Sequence, residues 1–353
     1  MNDAAVLALL QQLAVEDGQS AARLRKRLGL SDSELRRLIA VLGNDAQVGG
    51  MDLVQTRSDG ARQRLWLTPR GKALLASPTA PTGVRTLPGL RLHAAECSEV
   101  HDHIAEETPV AVLYNGSSFA VMLASPGDLE DFALGFALSE GIVEHPDEYR
   151  LLDCQSSADG IALHGHIPQT RYDRLDERRR SLSGRSGCGL CGLESLQAAL
   201  PALPAVQSGR RFDSAEIHNG FAALNARQPL NQLSGGIHAA ALLHPDGISV
   251  REDIGRHNAV DKVIGACAHT GFAEAILLVT SRASYEIVHK AARVGIPIVA
   301  AISAPTTLAI QLAEQTDISL VAFARGEAMT VYAGQKRLLG DESYRRIRNA
   351  RTR

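Results

Sequence analysis

The chain has 353 residues, of which 45% are hydrophobic and 4% aromatic, and its 37 Lys and Arg against 39 Asp and Glu give a formal net charge of −2. That length predicts about two domains, and the composition predicts an Ala-, Leu- and Val-rich α/β core large enough to need no disulfide staples. The balanced charge excludes bulk binding of nucleic acid or membrane by the whole chain. No apolar run reaches the roughly 18 residues of a membrane helix, the five cysteines make no disulfide framework, and no basic stretch near Asp3 suggests a secretory signal. The expectation is a soluble cytoplasmic protein in a reducing compartment.

The first seventy-odd residues read as a separate module, residues 1–77. Val6, Leu9, Leu10 and Leu13 repeat with helical period. Ser20 can cap a second helix carrying Leu24 and Leu28, which Gly29 breaks. Ser31 and Glu34 form an S-x-x-E capping box for a third helix with Leu35, Leu38, Ile39 and Leu42 on one face. Two strand-like runs, DLVQTR and RQRLWL, follow around a turn at Ser58-Asp59-Gly60, and LTPRGKALL opens a last helix with Pro69 near its start. Three helices, a two-stranded wing and a closing helix resemble the winged-helix regulators, the ending being like that of MarR-like members. Arg36, Arg37, Arg57, Arg62 and Arg64 suit phosphate contact, so DNA is a candidate partner; such modules also dock proteins. The Pro-rich run Ala76 to Gly83 marks a linker, taken as 78–90, with the boundary near residue 80.

Residues 91–353 read as one α/β domain. PVAVLYNG and SSFAVMLAS form a hairpin turning at Asn115-Gly116. GDLEDFALGFALSEGIV has helical periodicity, with Asp128 near its start, and a less regular stretch runs from about Glu148 to Arg180. The segment Ser183 to Leu193, SGRSGCGLCGL, then places Cys188 and Cys191 at C-x-x-C spacing among Gly184, Gly187, Gly189 and Gly192. Glycine lets this backbone approach a ligand closely. Arg178, Arg179, Arg180 and Arg185 beside it, and a helix-forming run after it, bias a thiol toward the nucleophilic thiolate. The spacing alone also allows half of a zinc site, a redox disulfide or accident. Zinc would need four ligands, and Cys97, Cys154 and Cys267 stand isolated.

Beyond the cysteines, roughly Asp213 to Ala226 reads as a helix. SGGIHAAALLHPDG and GISV read as strands, Arg251-Glu252-Asp253 as a polar elbow, and a helix starts near His257. Then EAILLVTS, IPIVAAIS, ISLVAFARG and AMTVYAG alternate as strands with the helices RASYEIVHKAARVG and APTTLAIQLAEQTD, which implies βαβ units and a largely parallel sheet. Ligands of such sheets sit beyond the strands' C-terminal ends. Those ends carry Thr280-Ser281-Arg282, Ser303-Ala304-Pro305-Thr306-Thr307 and Phe323-Ala324-Arg325-Gly326, a set of hydroxyls, cations and helix N-termini suited to phosphate. Singly, each residue is also accounted for by helix capping or by a pair such as Arg282 with Glu286.

The stretches GRSGCGLCG, SGGIHAAAL, REDIGRHNAVDKVIG, SRASYEIVHKA, ISAPTTLA and FARGEAMTVY together resemble the formate dehydrogenase accessory sulfurtransferases, the FdhD family, in family order from about Pro109 to Leu338. The resemblance implies a three-layer α/β/α sandwich similar to cytidine deaminases. It implies a sulfur carrier that receives a persulfide from a cysteine desulfurase and passes it to the bis-molybdopterin guanine dinucleotide cofactor destined for formate dehydrogenase. It implies the persulfide on Cys188 with Cys191 as partner, cofactor binding at Phe323, Ala324, Arg325, Gly326, Glu327 and Ala328, no resident metal, and a homodimer; the strand-end reading adds Ser281 and Arg282 close by, with GDP expected to mimic the cofactor. Two features depart from the family pattern: the N-terminal module, and Glu327 and Ala328, where members often carry a small and a basic residue. A guanine-nucleotide-sensing winged-helix transcription regulator is the alternative, although a sensor has no need of the C-x-x-C stretch.

Overall fold

The computed structural model describes residues 3–15, 17–43, 50–59, 62–76, 81–94, 96–183 and 203–339. They fall into two units, Met1–Ala80 and Pro81–Arg353.

The first unit runs α1 (Asp3–Val15), β1 (Gln19–Ser20), α2 (Ala21–Leu28), α3 (Asp32–Leu42), β2 (Val54–Asp59), β3 (Arg62–Leu67) and α4 (Pro69–Ala76), its strands in the order β1-β3-β2. Local chemistry sets the helix ends. Ser20 accepts from the Arg23 amide at 3.4 Å, and Gly29 closes α2 at φ 64°. The Ser31 hydroxyl accepts from the Glu34 amide while the Glu34 carboxylate accepts from the Ser31 amide at 2.7 Å, a complete capping box. Leu9, Leu13, Leu24, Leu35, Leu42 and Leu65 fill the core. Ser58 and Asp59, expected in the turn, instead pair with Gln63 and Arg62 as the hairpin continues.

The second unit opens with β4 (Val84–His93) and β5 (Glu96–Ala105), an antiparallel ribbon paired from Val84↔Ala105 to His93↔Glu96. The linker expected over 78–90 from the Pro-rich run Ala76 to Gly83 extends too far: residues 84–90 belong to β4, an edge strand that tolerates Pro88. Next come β6 (Thr108–Tyr114), β7 (Ser117–Ala124), α5 (Leu129–Ser139), β8 (Arg150–Ser157), β9 (Gly160–His166) and α6 (Gln169–Ser183). Four of these strands form a sheet in the order β7-β6-β9-β8. The stretch expected to be irregular therefore holds two strands and a helix. Its edge strand β8 is exposed along nearly its whole length, so it shows no apolar alternation.

The remaining elements are α7 (Ser214–Asn225), α8 (Pro229–Ser234), β10 (His238–His244), β11 (Gly247–Asp253), α9 (Arg256–Ala266), β12 (Ile276–Val279), α10 (Tyr285–Val294), β13 (Ile298–Ala301), α11 (Thr307–Gln315), β14 (Ser319–Arg325) and β15 (Ala328–Ala333). They build a six-stranded sheet ordered β11-β10-β12-β13-β14-β15. Only β12/β13 and β13/β14 pair in parallel; the other neighbours are antiparallel hairpins or reversals. The largely parallel sheet expected from the alternating pattern is thus a mixed one. The residues expected as an elbow, Arg251 to Asp253, complete β11.

One face of this sheet, with Ala240, Leu277, Val299 and Leu320, shares a core with α5, α9, α10, α11 and the inner face of the four-stranded sheet. The opposite face, with Ala241, Ile276, Leu278, Ile298 and Val321, is covered by Ile217, Phe221 and Leu224 of α7. Helices α5 and α9 cross backbone to backbone. A Cβ on Gly135 would overlap the Asp261 carbonyl, and one on Gly265 would overlap the Asp131 carbonyl.

Candidate functional site

Parallel strands β12, β13 and β14 end on the same side of the sheet, and their following loops are tied together. The Ala283 amide donates to the Ala304 carbonyl and the Thr306 amide to the Ala283 carbonyl, each at 3.1 Å. The Phe323 amide donates to the Ser303 carbonyl at 3.1 Å. Thr280 Oγ1 accepts from the Ala239 amide at 2.9 Å and so anchors β10 to the same rim. Of the residues expected here, Ser281 is buried and its hydroxyl donates to the Arg282 carbonyl at 3.1 Å, a local bond. Arg282 is exposed. Glu286 does not turn to it; it accepts from the Ser284 hydroxyl at 3.0 Å and lies 3.3 Å from His257 Nε2.

Phe323 to Ala328 form the end of the β14–β15 hairpin. A bulge between Ala322 and Arg325 puts Phe323 in the left-handed region at φ 52°, uncommon for a bulky residue. Gly326, at φ 62°, and Glu327 make the turn that pairs Arg325 with Ala328. Ala324 is buried, and Arg325 through Ala328 are exposed. The Arg325 guanidinium lies 5.9 Å from the Phe323 ring centroid. Ser281 and Arg282 are two strands away from this hairpin, about 10 Å at ordinary strand spacing. Arg282 and Arg325 have no carboxylate partner among the described residues.

Sequence reasoning missed the residues that complete the rim. Helices α9 and α10 both begin here, and neither has a side-chain cap. Arg256 is the first residue of α9, a cation at the positive end of a helix dipole, where a cation is normally disfavoured. That local contradiction in GRHN was the available signal. Arg256 Nε is buried with no hydrogen-bond partner among the described residues. Burial, and then the nearby Arg256 charge, push the imidazoles of His238 and His257 below their ordinary value, against the pull of Asp253 on the first and Glu286 on the second.

The start of α9 is fixed from beneath. Lys262 and Asp253 are fully buried 2.7 Å apart. Asp253 also accepts from the amides of Ser125 at 3.0 Å and Gly255 at 2.7 Å and from Asn258 Nδ2 at 3.0 Å, while Lys262 donates to the Ser125 carbonyl at 2.9 Å. A second buried lysine, Lys290 of α10, bonds Asp261 at 2.8 Å and Glu140 at 2.7 Å. Burial alone would lower that ammonium, but the two carboxylates outweigh it and hold it above its ordinary value.

Cys188, Cys191 and Arg185 lie outside the described residues, as do the side chains of Arg178, Arg179 and Arg180. The flanking chain is described. Arg171, Arg174 and Leu175 of α6 line a small recess with Arg293 in the last turn of α10. The Val206 amide donates to the Thr316 carbonyl at 2.8 Å, at the end of α11. Both helix ends belong to the side of the sheet opposite the rim. Among the other thiols, burial pushes Cys154 and Cys267 up, which favours the unreactive protonated form.

Two helix starts without side-chain caps and three arginines, Arg256, Arg282 and Arg325, thus lie along the strand-end rim of this α/β protein. The FdhD/NarQ family model matches residues 105–339, and the chain belongs to that family. It is 47% identical over 272 residues to a protein named sulfur carrier protein FdhD from Xanthomonas campestris pv. campestris (strain B100), covering 74% of this chain and 95% of that one. The protein of the same name from Cupriavidus necator is 48% identical over 246 residues, 69% of this chain and 85% of that one. A crystal structure of a candidate formate dehydrogenase accessory protein from Desulfotalea psychrophila shares the fold, with a TM-score of 0.57 at 24% identity over 72% of this chain and 99% of that one. Residues 1–104 lie outside the family match. No helix among the described residues is long and apolar enough to cross a membrane.

Proposed function

We propose that this chain is a sulfurtransferase of the persulfide-carrier type that serves formate dehydrogenase maturation. The observation that carries the reading is membership of a family whose curated relatives at 47% identity are named sulfur carriers. Cys188 is the carrier thiol. Its thiolate attacks the outer sulfur of a cysteine desulfurase persulfide; that S–S bond breaks, a new one forms on Cys188, and the desulfurase thiolate leaves, with no net oxidation. Attack by the Cys191 thiolate on the Cys188 sulfur then releases hydrosulfide and leaves a Cys188–Cys191 disulfide, so the two electrons come from the thiol pair.

The acceptor is the bis-molybdopterin guanine dinucleotide cofactor, bound as substrate at the strand-end crevice. Its diphosphates suit the starts of α9 and α10 with Arg256 and Arg282, and the half-buried Phe323 ring offers a flat face to guanine. Ser281 shapes the loop beneath, and Gly326, Glu327 and Ala328 form its outer lip around buried Ala324. With no basic residue at Ala328, Arg325 takes that phosphate contact. GDP is a sufficient probe. The carrier works as a homodimer. The first unit docks a protein partner, the desulfurase or the apo-dehydrogenase, rather than DNA: Arg36 is paired with Asp32 at 2.9 Å, and Arg57 packs 5.5 Å over Trp66.

Two experiments test this. Intact-mass analysis after incubation with a cysteine desulfurase and cysteine should show one added sulfur, absent in Cys188→Ala and retained or reduced in Cys191→Ala; full loading of Cys188→Ala would overturn the assignment. Calorimetric titration with GDP should give saturable heat that Arg282→Ala/Arg325→Ala weakens at least about tenfold. Unchanged affinity in that variant would move the nucleotide elsewhere.

A further inference from the structure

The β4–β5 ribbon has no use in the reading above. Two-stranded ribbons are marginal alone in water, yet this one presents Leu90 at 70% and Leu92 at 76% exposure. Its register sets Leu90 opposite Glu99, Leu92 opposite Cys97 and Pro88 opposite His101, so one face carries an apolar strip of Pro88, Leu90, Leu92 and Cys97 flanked on β5 by Glu99 and His101. Among the described residues its anchor is at the base, where Val84 packs with Leu230 and Ile237. A second apolar surface lies on the outer face of the four-stranded sheet. Val121 and Leu123 are 64% and 53% exposed there, beside their cross-strand neighbours Ala111 and Pro109. The inner face of the same sheet, with Val110 and Val112, is core.

One chain therefore carries a projecting arm with an apolar strip and a flat apolar platform, neither covered by another of the described residues. We propose that two copies cover each other: the ribbon of one chain lies across the outer face of the four-stranded sheet of the other, and reciprocally. A two-fold pair makes such a contact twice, so a single complementary match between arm and platform is enough for closure. The mode is face packing rather than strand addition. Pro88 removes a donor from β4, and Glu96, Glu99 and Asp102 charge β5, both features that blunt edge pairing. The area is sufficient. Ten-residue strands span about 33 Å and a ribbon is about 10 Å wide, so the two contacts together bury about 1,300 Å², within the range of specific interfaces.

The inference rests on the dimer named under the proposed function, and light scattering of the full chain separates the two. Wild type should show twice the chain mass. Leu90→Asp/Leu92→Asp and Val121→Asp/Leu123→Asp should each run as monomers, with the dimer Kd raised about 100-fold or more. An equimolar mixture of the two variants should recover dimer, because one intact ribbon then meets one intact platform. Far-UV circular dichroism checks each fold; should an aspartate pair lose it, the matching serine pair is read in its place. A monomeric wild type overturns the dimer and the inference together. A dimeric wild type whose dimer survives either substitution, or monomeric variants that fail to recover on mixing, overturns the arm exchange alone.

Discussion

Strands β12 and β13 have four residues each, all buried, whereas β4 and β5 have ten each and bury Val84 alone. Length of pairing is therefore no guide to stability in this molecule. The short strands owe theirs to neighbours on both sides and cores on both faces. The long ribbon has one neighbour per strand and solvent on both faces of a single chain. Strand hydrogen bonds exchange water for protein at small net gain, so the packed body, not the ladder, sets the difference.

Removing charge from the packed body should do the most damage. Lys262→Met leaves the buried Asp253 carboxyl without its cationic partner, and is expected to cost about 3–5 kcal/mol in denaturant unfolding. A loss under about 1 kcal/mol would mean that the amides around Asp253 suffice. Next in size, Leu278→Ala hollows the core under α7 and should cost about 2–5 kcal/mol. The same truncation on the ribbon, Leu90→Ala, should stay within about 0.5 kcal/mol when measured on the monomer. Equal costs at these two leucines would erase the contrast between body and ribbon. Smaller again is Thr306→Ala, which removes the hydroxyl that accepts from the Ala309 amide at 3.2 Å and should cost about 1 kcal/mol.

The gentlest probe is pH. Burial depresses His238, His257 and His289 in the folded body, so below the unfolded value of 6.5 the unfolded chain binds more protons than the folded one. Their contribution is present above that pH and is lost as pH falls below it. Glu252, pushed up by burial, acts with the opposite sign from its raised value down to 4.5. Melting temperature should thus fall between pH 7 and pH 5.5, and His257→Gln should flatten part of that slope. A melting temperature that rises over this interval would contradict the assignment.

What the sequence made legible follows the same contrast. The runs Ile276–Val279 and Ile298–Ala301 are continuous apolar stretches between turn signals, and the Ser31–Glu34 capping box is complete in four letters. These elements carry their cause within themselves. Strands β8 and β4 do not: exposed along nearly their whole length, they lack an apolar alternation. At the strand-end rim, the positions of Ser281, Arg282 and the Phe323–Ala328 hairpin were legible because each follows an apolar run that reads as a strand. Arg256, His238 and His257 were not, since His238 comes near Arg256 only through the register of the β10–β11 pair, which sets it opposite Asp253.

The helix crossing at Gly135 and Gly265 bears on how distant members of this family are to be aligned. Each glycine faces a main-chain carbonyl of the opposite helix, Asp261 for the first and Asp131 for the second, with no room for even a methyl group. A chain that exchanged one of them for alanine would have to part the helices, which drags the other contact open as well. The two positions are therefore a linked pair of fixed points, readable across sequences too diverged for the intervening residues to be matched, and a relative lacking either must have re-docked its first long helix.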